Sequence, residues 1–297
     1  MSRTSRLEKM AAIGSWLSTG AVLMALAVML LFLLVKSAPG WSSALFFGDT
    51  PALDALFRGA PVFDGLWPAC VGTLALVLLS MVIAIPLGVA TGVYLAEYSH
   101  GRFRDALSFF VDVLAGMPSI LVGLFGFALI LFLRKTVSPD ANTGLVLSAL
   151  CLAVLVLPYL ISTTRLSVTA LPIGLRLTGA SLGLSHDQIV WCILLPAALP
   201  GIFSGIILAI GRAAEDTAVI LMTGAVANAG TPSSLTGKYE ALPFHIYYLA
   251  AEHQSPAELT QAFGAAVVLL ILTGLMFACA RWLQKRLQQQ WKTGGAA

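Results

Sequence analysis

Six apolar runs, each long enough to cross a bilayer, dominate this sequence: 13–35, 68–96, 106–133, 144–162, 199–225 and 259–282. Lipid offers no water to satisfy a peptide backbone, so an apolar run of about 20 residues spans as an α-helix. Composition agrees. The chain is 58% hydrophobic and 10% charged, where a soluble domain carries about 25% charged residues. The expected fold class is an all-α polytopic membrane protein with six transmembrane helices. The first run reads as a retained span, because it is longer than a leader's apolar region and no small-residue cleavage site follows it. The net charge of +3 is small and no basic cluster is interleaved with aromatics, so the expected surroundings are the lipid bilayer and no nucleic acid.

Six spans put both termini on one side, and the distribution of Lys and Arg selects that side. With cytoplasmic termini, the inside segments hold Arg3, Arg6, Lys9, Arg102, Arg104, Arg165, Arg176, Arg281, Lys285, Arg286 and Lys292. The outside segments hold Lys36, Arg58, Arg134, Lys135 and Lys238. Eleven against five predicts an N-in, C-in, multi-pass protein. Three parts are expected: residues 1–67 with the cytoplasmic tail, first span and an outside loop; a transmembrane domain at 68–282; and a cytoplasmic tail at 283–297. Within the domain, 163–198 is the long inside connection, too polar for a seventh span.

That connection has local structure written into it. Gly183 breaks the chain, and Ser185 with Gln188 forms an S-x-x-Q capping box, in which hydroxyl and amide satisfy free groups at a helix start. Asp187 in the first turn suits the positive helix end. The prediction is short helix, glycine turn, short helix: a ledge against the membrane on the cytoplasmic side.

The ledge carries a resemblance. Membrane subunits of bacterial ABC importers have a loop motif E-A-A, three residues, G, nine residues, I-x-L-P. Here Gly183 is followed after nine residues by Ile193, Leu194, Leu195 and Pro196, while Leu177, Thr178 and Gly179 stand in place of E-A-A. Further stretches resemble permeases of the phosphate importer. These are GMPSILVGLFG at 116–126, Pro86-Leu87-Gly88 with Tyr94-Leu95-Ala96-Glu97-Tyr98, LPFHIY at 242–247, and Arg212-Ala213-Ala214-Glu215-Asp216-Thr217, where the family reads R-x-x-G-E-T. Thr217-Ala218 looks like the PstA-type subunit and VILM at 219–222 like its PstC-type partner; the PstA type is favoured. The resemblance implies a six-helix type I ABC importer permease fold in the bacterial cytoplasmic (inner) membrane. It implies partners: ATPase subunits inside, a second permease subunit (PstC-like or identical), and a phosphate-binding protein outside. It implies that Gly183, Leu184, Ser185, Ile193, Leu195 and Pro196 form the ATPase-docking loop.

Arg212, Glu215 and Asp216 fall at i, i+3 and i+4 inside the fifth run and are expected to share one helix face. A charge at the centre of a membrane helix costs about 2.5–3.5 kcal/mol and usually faces a bundle interior or wet cavity. One reading is structural, with the acids neutralising Arg212. The other is an anion gate. The arginine fork matches phosphate oxygens, and acids could hold it until substrate arrives or accept a proton from a P–O–H group, which sulfate lacks. Thr217 belongs to the same stretch. Ser119 is a second candidate for the pathway: Pro118 beside it and Gly116 and Gly123 around it open the backbone, and free amides at such a break can meet an anion.

Other chemistry is not indicated. The four histidines do not cluster, so no metal is expected, and His245 reads as a solvated loop residue. Cys70, Cys151, Cys192 and Cys279 read as buried free thiols. There is no G-x-x-x-x-G-K-[ST] frame, so no nucleotide or other cofactor is expected in this chain and the motor is another subunit. Two alternatives remain open: a permease for another oxyanion (sulfate, molybdate or tungstate), or an intramembrane enzyme using Asp216 or Asp112 as an acid.

Overall fold

The computed structural model describes residues 3–57, 62, 65–137, 139–232 and 234–294. Of the basic residues used to orient the chain, Arg58 lies outside them. The described chain is almost wholly helical: α1 (Arg3–Ser37), α2 (Ser43–Phe47), α3 (Ala52–Phe57), α4 (Trp67–Val93), α5 (Gly101–Gly116), α6 (Ser119–Thr136), α7 (Leu145–Thr169), α8 (Ile173–Ser181), α9 (His186–Ile189), α10 (Leu195–Glu215), α11 (Ala218–Thr223), α12 (Leu242–Glu252) and α13 (Pro256–Gly294). Among the described residues six helical segments are long and apolar enough to span: Glu8–Gly40, Trp67–Tyr98, Ser119–Thr136, Leu145–Thr169, His186–Glu215 and Pro256–Gln289.

Two spans differ from expectation in their boundaries. The third span starts at Ser119, because extended backbone at Met117 and Pro118 cuts the apolar run in two. Residues 101–116 form the separate helix α5, whose Arg102, Arg104, Asp105 and Asp112 make it the most amphipathic part of that run. The fifth span starts earlier, at His186, and ends at Glu215. α9 passes through a π-turn (Val190–Leu194) into α10 without a stop.

α7 is the central helix. It packs on α4 and α10, with α5, α6 and α11 against its remaining faces. Its residues Ala153, Val156 and Leu160 meet Val77, Met81 and Ala84 of α4 and Ala209, Ala213 and Ala214 of α10 in one apolar cluster. Between lipid-solvated helices apolar burial gives little driving force, so close packing has to hold the bundle. α10 crosses α7 through small residues: a Cβ on Gly205 would lie 2.8 Å from Thr163 Cβ. α1 packs chiefly along α13, with Phe32 edge-on to Phe263, and most of its apolar surface stays uncovered. Of the cysteines, Cys151 is buried, but Cys192 and Cys279 lie on the surface of the helices. An apolar sequence context marks lipid-facing positions as readily as core ones.

Candidate functional site: two helix breaks and a ledge

The ledge forms as its residues dictate. α8 ends at Ser181, and Gly183 takes φ +76°, a left-handed conformation that a Cβ disfavours. Its N–H donates to Ala180 O, and the Leu184 N–H donates to Gly179 O. Ser185 then caps α9. Its N–H donates to Gln188 Oε1 at 2.8 Å, and the Gln188 N–H donates to Ser185 Oγ at 3.3 Å. Gly179 is buried, and a Cβ there would sit 2.8 Å from Ile189 Cγ1, so the missing side chain lets α8 lie on α9.

The ledge presents different residues outward than the motif suggests. Gly183 and Ser185 are exposed, whereas Leu184 and Leu195 pack partly inward, onto a cluster built by Val93, Val168, Ile189 and Leu194. Ile193 and Pro196 are also half-buried. The outward apolar residues are Ile173, Leu177 and Leu182, with Leu177 60% exposed. Ile173 and Leu177 lie four residues apart on α8 and Leu182 just past its end, a pattern readable in the sequence but not contained in the E-A-A motif.

Among the described residues two hydrogen-bonded side-chain pairs join the ledge to the end of α4, which closes in a π-turn at Tyr94–Tyr98. Arg176 of α8 pairs with Glu97, its Nη2 and Nε donating to the two carboxylate oxygens. Arg176 also donates to Val168 O and Leu171 O, each at 3.1 Å. The Tyr98 hydroxyl donates to Asp187 Oδ1 of α9 at 2.7 Å, and the His186 ring stands edge-on to Tyr98.

The second region lies inside the bundle. α10 ends at Glu215, and Asp216 is extended, with ψ 115°. α11 then restarts at Ala218. α5 likewise ends at Gly116, and α6 restarts at Ser119. The break before α6 lies about one helical turn nearer the ledge than the break before α11, since Gly123, in the second turn of α6, faces Ala218 at the start of α11. α6 and α11 touch and run parallel: Gly123 faces Ala218 and Val219, and Gly126 faces Thr223. Their N-terminal ends therefore point the same way, toward the ledge side. Helix N-termini carry partial positive charge and free amides.

Arg212, Glu215 and Asp216 do not share one face, because the helix ends between the second and third. Asp216 is 3% exposed. Its Oδ1 accepts from the Val219 N–H at 2.9 Å, capping α11, and its Oδ2 is 3.4 Å from Arg212 Nη2. Glu215 is exposed, with Oε1 over Gly211. The Arg212 side chain is 37% exposed. Among the described residues it donates no hydrogen bond, so its fork of donors is open. Thr217 and Ser119 are half-buried at the starts of α11 and α6. No hydrogen bond or ion pair among the described residues joins Ser119 to Arg212.

The far end of the bundle is closed by residues 224–232 and 234–241, which fold back between α4 and α7. Tyr239 is fully buried there, which pushes its hydroxyl well above the ordinary tyrosine range. LPFHIY forms the start of α12, and His245 is buried rather than solvated. It lines a cavity of about 470 Å³ with Asn228, Tyr248, Glu252, Gln254 and Glu258. Pro243 at a first helical turn was the sequence signal for α12.

Residues 84–293 match the family model of the binding-protein-dependent transport system inner membrane component. The chain is 32% identical over 255 residues to the phosphate transport system permease protein PstA of Pasteurella multocida, covering 85% of this chain and 86% of that one. It is 33% identical over 241 residues to PstA of Haemophilus influenzae, covering 81% and 80%. Among solved structures, a bacterial alginate ABC transporter superposes with TM-score 0.63 at 16% identity, over 92% of this chain and 95% of that one. The MetNI methionine transporter superposes with TM-score 0.55 at 20% identity, over 80% and 99%. At those identities the structures speak for the fold, a type I ABC importer permease. With six spans, that fold and a match over most of its length, the chain belongs to the inner-membrane component family of binding-protein-dependent transport systems.

Proposed function

We propose that this chain is the pore-forming permease of an ATP-driven importer that carries inorganic phosphate across the bacterial inner membrane. The observation that carries the reading is its identity to PstA permeases over most of their length. As a member of this family it is a transport subunit, not an enzyme, and works with ATPase and substrate-binding partners. The finer arrangement belongs to the proposal: two ATPase subunits on the ledge, a second permease chain (PstC-like or identical) beside it, and a phosphate-binding protein on the opposite face. Residues 68–282 form the translocating domain, flanked by 1–67 and 283–297. Uptake of radiolabelled phosphate by cells lacking their own importer tests the cargo, with this chain and its neighbouring subunits supplied in trans. Phosphate should accumulate and sulfate or molybdate should not. Accumulation of either of those in its place would transfer the reading to that oxyanion.

In this reading Arg212, Ser119 and Thr217 face the anion, with Asp216 holding the arginine and Glu215 at the wet edge of the path. Support comes from the donors of Arg212, which make no hydrogen bond among the described residues, and from the nearby N-terminal end of α6, which starts at Ser119 after the extended Met117 and Pro118. Broken helices that aim their positive ends at an anionic group are a recurring way to place an anion at membrane depth.

The orientation is N-in, C-in. In a cysteine-free background, Ser43→Cys should react with an impermeant thiol reagent added outside, and Ser185→Cys should not. Labelling of Ser185→Cys from outside reverses the orientation and removes the ledge from the ATPase side.

The docking loop has its own test. Gly183→Trp forces a bulky L-residue into left-handed backbone at about 1–2 kcal/mol and fills the exposed turn. The protein should insert normally and lose the ATPase on co-purification. Full retention of the ATPase would mean that the ledge is not the dock.

A further inference from the structure

We propose that Glu97 and Tyr98 form a paired clamp that makes α4 move with the ledge, so that ATPase-driven displacement of the ledge reaches the translocation path. This rests on the permease reading. The ledge is covalently continuous with α7 through α8 and with α10 through α9. α4 has no such link. Along the membrane, α4 is interlocked with α7, where Gly88 and Gly92 fit against Leu160 and Thr164. At the ledge itself, apolar packing of Val93 against Val168, Ile189 and Val190 joins the two bodies, and directed bonds add a defined register there.

Among the described residues two such contacts exist, one to each arm of the ledge. Glu97 holds α8 through Arg176, and the adjacent Tyr98 holds α9 through Asp187. The π-turn makes this possible. Its wider turn, closed by the Ser99 N–H donating to Tyr94 O, reduces the angle between successive side chains, so neighbours reach different helices on one side. π-turns often mark functional positions.

The Glu97 side chain is 7% exposed, and a carboxylate so buried needs a paired donor. Arg176 supplies it and also ties Val168 O and Leu171 O at the end of α7. One guanidinium thus joins α4, α7 and α8. Arg176 adjoins Leu177, the position where the family motif has glutamate. The clamp faces the membrane side of the ledge, while the outward row of Ile173, Leu177 and Leu182 is left for the ATPase. These are positioning residues, since none of them meets substrate or nucleotide.

The test uses the assembled importer in proteoliposomes, with ATP hydrolysed per phosphate imported as readout. Tyr98→Phe removes one hydroxyl, and Arg176→Met removes all donors at similar length. Each should keep the ATPase subunits bound. Each should also raise the ATP cost per phosphate about twofold to tenfold, the range expected for losing a hydrogen bond or two. The double variant should be worse than either, and Arg176→Lys, which can still meet Glu97, should stay nearer to wild type. Wild-type stoichiometry in both single variants overturns the clamp. So does loss of the ATPase in step with uptake, which would make these residues part of the dock. Tyr98→Phe decides the question if Arg176→Met does not assemble. Should the wild-type complex move no phosphate, the function reading fails. The clamp is then read from stimulation of ATPase activity by the binding protein, which should fall in the variants; unchanged stimulation overturns it.

Discussion

Changing Arg212 to alanine, Glu215 to glutamine and Asp216 to asparagine together is expected to leave an importer that assembles and hydrolyses ATP but takes up no phosphate. The triple change removes all charge from the break between α10 and α11 while sparing its structure. Asparagine keeps the oxygen that caps the Val219 N–H, so α11 should still start at Ala218. Alanine at 216 would lose that cap, at about 1 kcal/mol. If the charges only balance one another, the neutral protein should transport normally. The geometry argues otherwise. Glu215 makes no ion pair with Arg212 among the described residues, the Asp216 contact is a loose 3.4 Å, and the guanidinium donates no hydrogen bond among the described residues. A hydrogen bond to a charged group is worth about 1.5–3 kcal/mol, so losing even one from an anion in passage reduces uptake about tenfold to 150-fold. Arg212→Lys should fall between, keeping charge without the fork. Substantial uptake by the triple variant at normal expression would remove Arg212 from the pathway.

The number of spans was legible because hydropathy is a sum over many residues and tolerates local error. The break at 216–217 was not, for the same reason: the run 199–225 stays apolar on average across it, whereas the break before Ser119 was expected from Pro118 and its flanking glycines. Pro118 was a usable signal, since proline disfavours helix at the residue before it, and Met117 is extended. At 216–217 no proline or glycine marks the stop. The signal there was Asp216 three residues before Val219, the spacing of an N-cap hidden inside an apolar run. Reading that aspartate as a third charge on one face, rather than as a cap, misplaced it. The ledge was legible in detail because capping boxes and left-handed glycines act within a few residues. The partners of Glu97 and Tyr98 were not, because they lie 79 and 89 residues away.

Gly72→Val is expected to unseat the segment that closes the far end of the bundle. Gly72 lies in the second turn of α4 against Glu240, and a Cβ there would overlap the Glu240 carbonyl oxygen and fall 3.1 Å from its carbon. The obstacle is backbone, so no rotamer change relieves it. The segment must move, and its anchors form a connected set. The Leu242 N–H donates to Thr73 Oγ1 at 2.8 Å, the Val226 N–H to Tyr239 O at 3.1 Å, and the Val146 N–H to Leu235 O at 2.9 Å. Displacing the segment also draws Tyr239 from a fully buried site, and loss of a large buried aromatic typically costs about 3–5 kcal/mol. That is a large share of the stability of an ordinary domain, about 5–15 kcal/mol. The variant should accumulate poorly, melt well below wild type in detergent, and be cut by protease within 226–241. Gly274→Ala is the control, because a Cβ there meets nothing within 4 Å. A Gly72→Val protein that melts with wild type and resists protease would mean that the segment is held by something other than its fit against α4, and the packing assigned to Tyr239 would have to be given up with it.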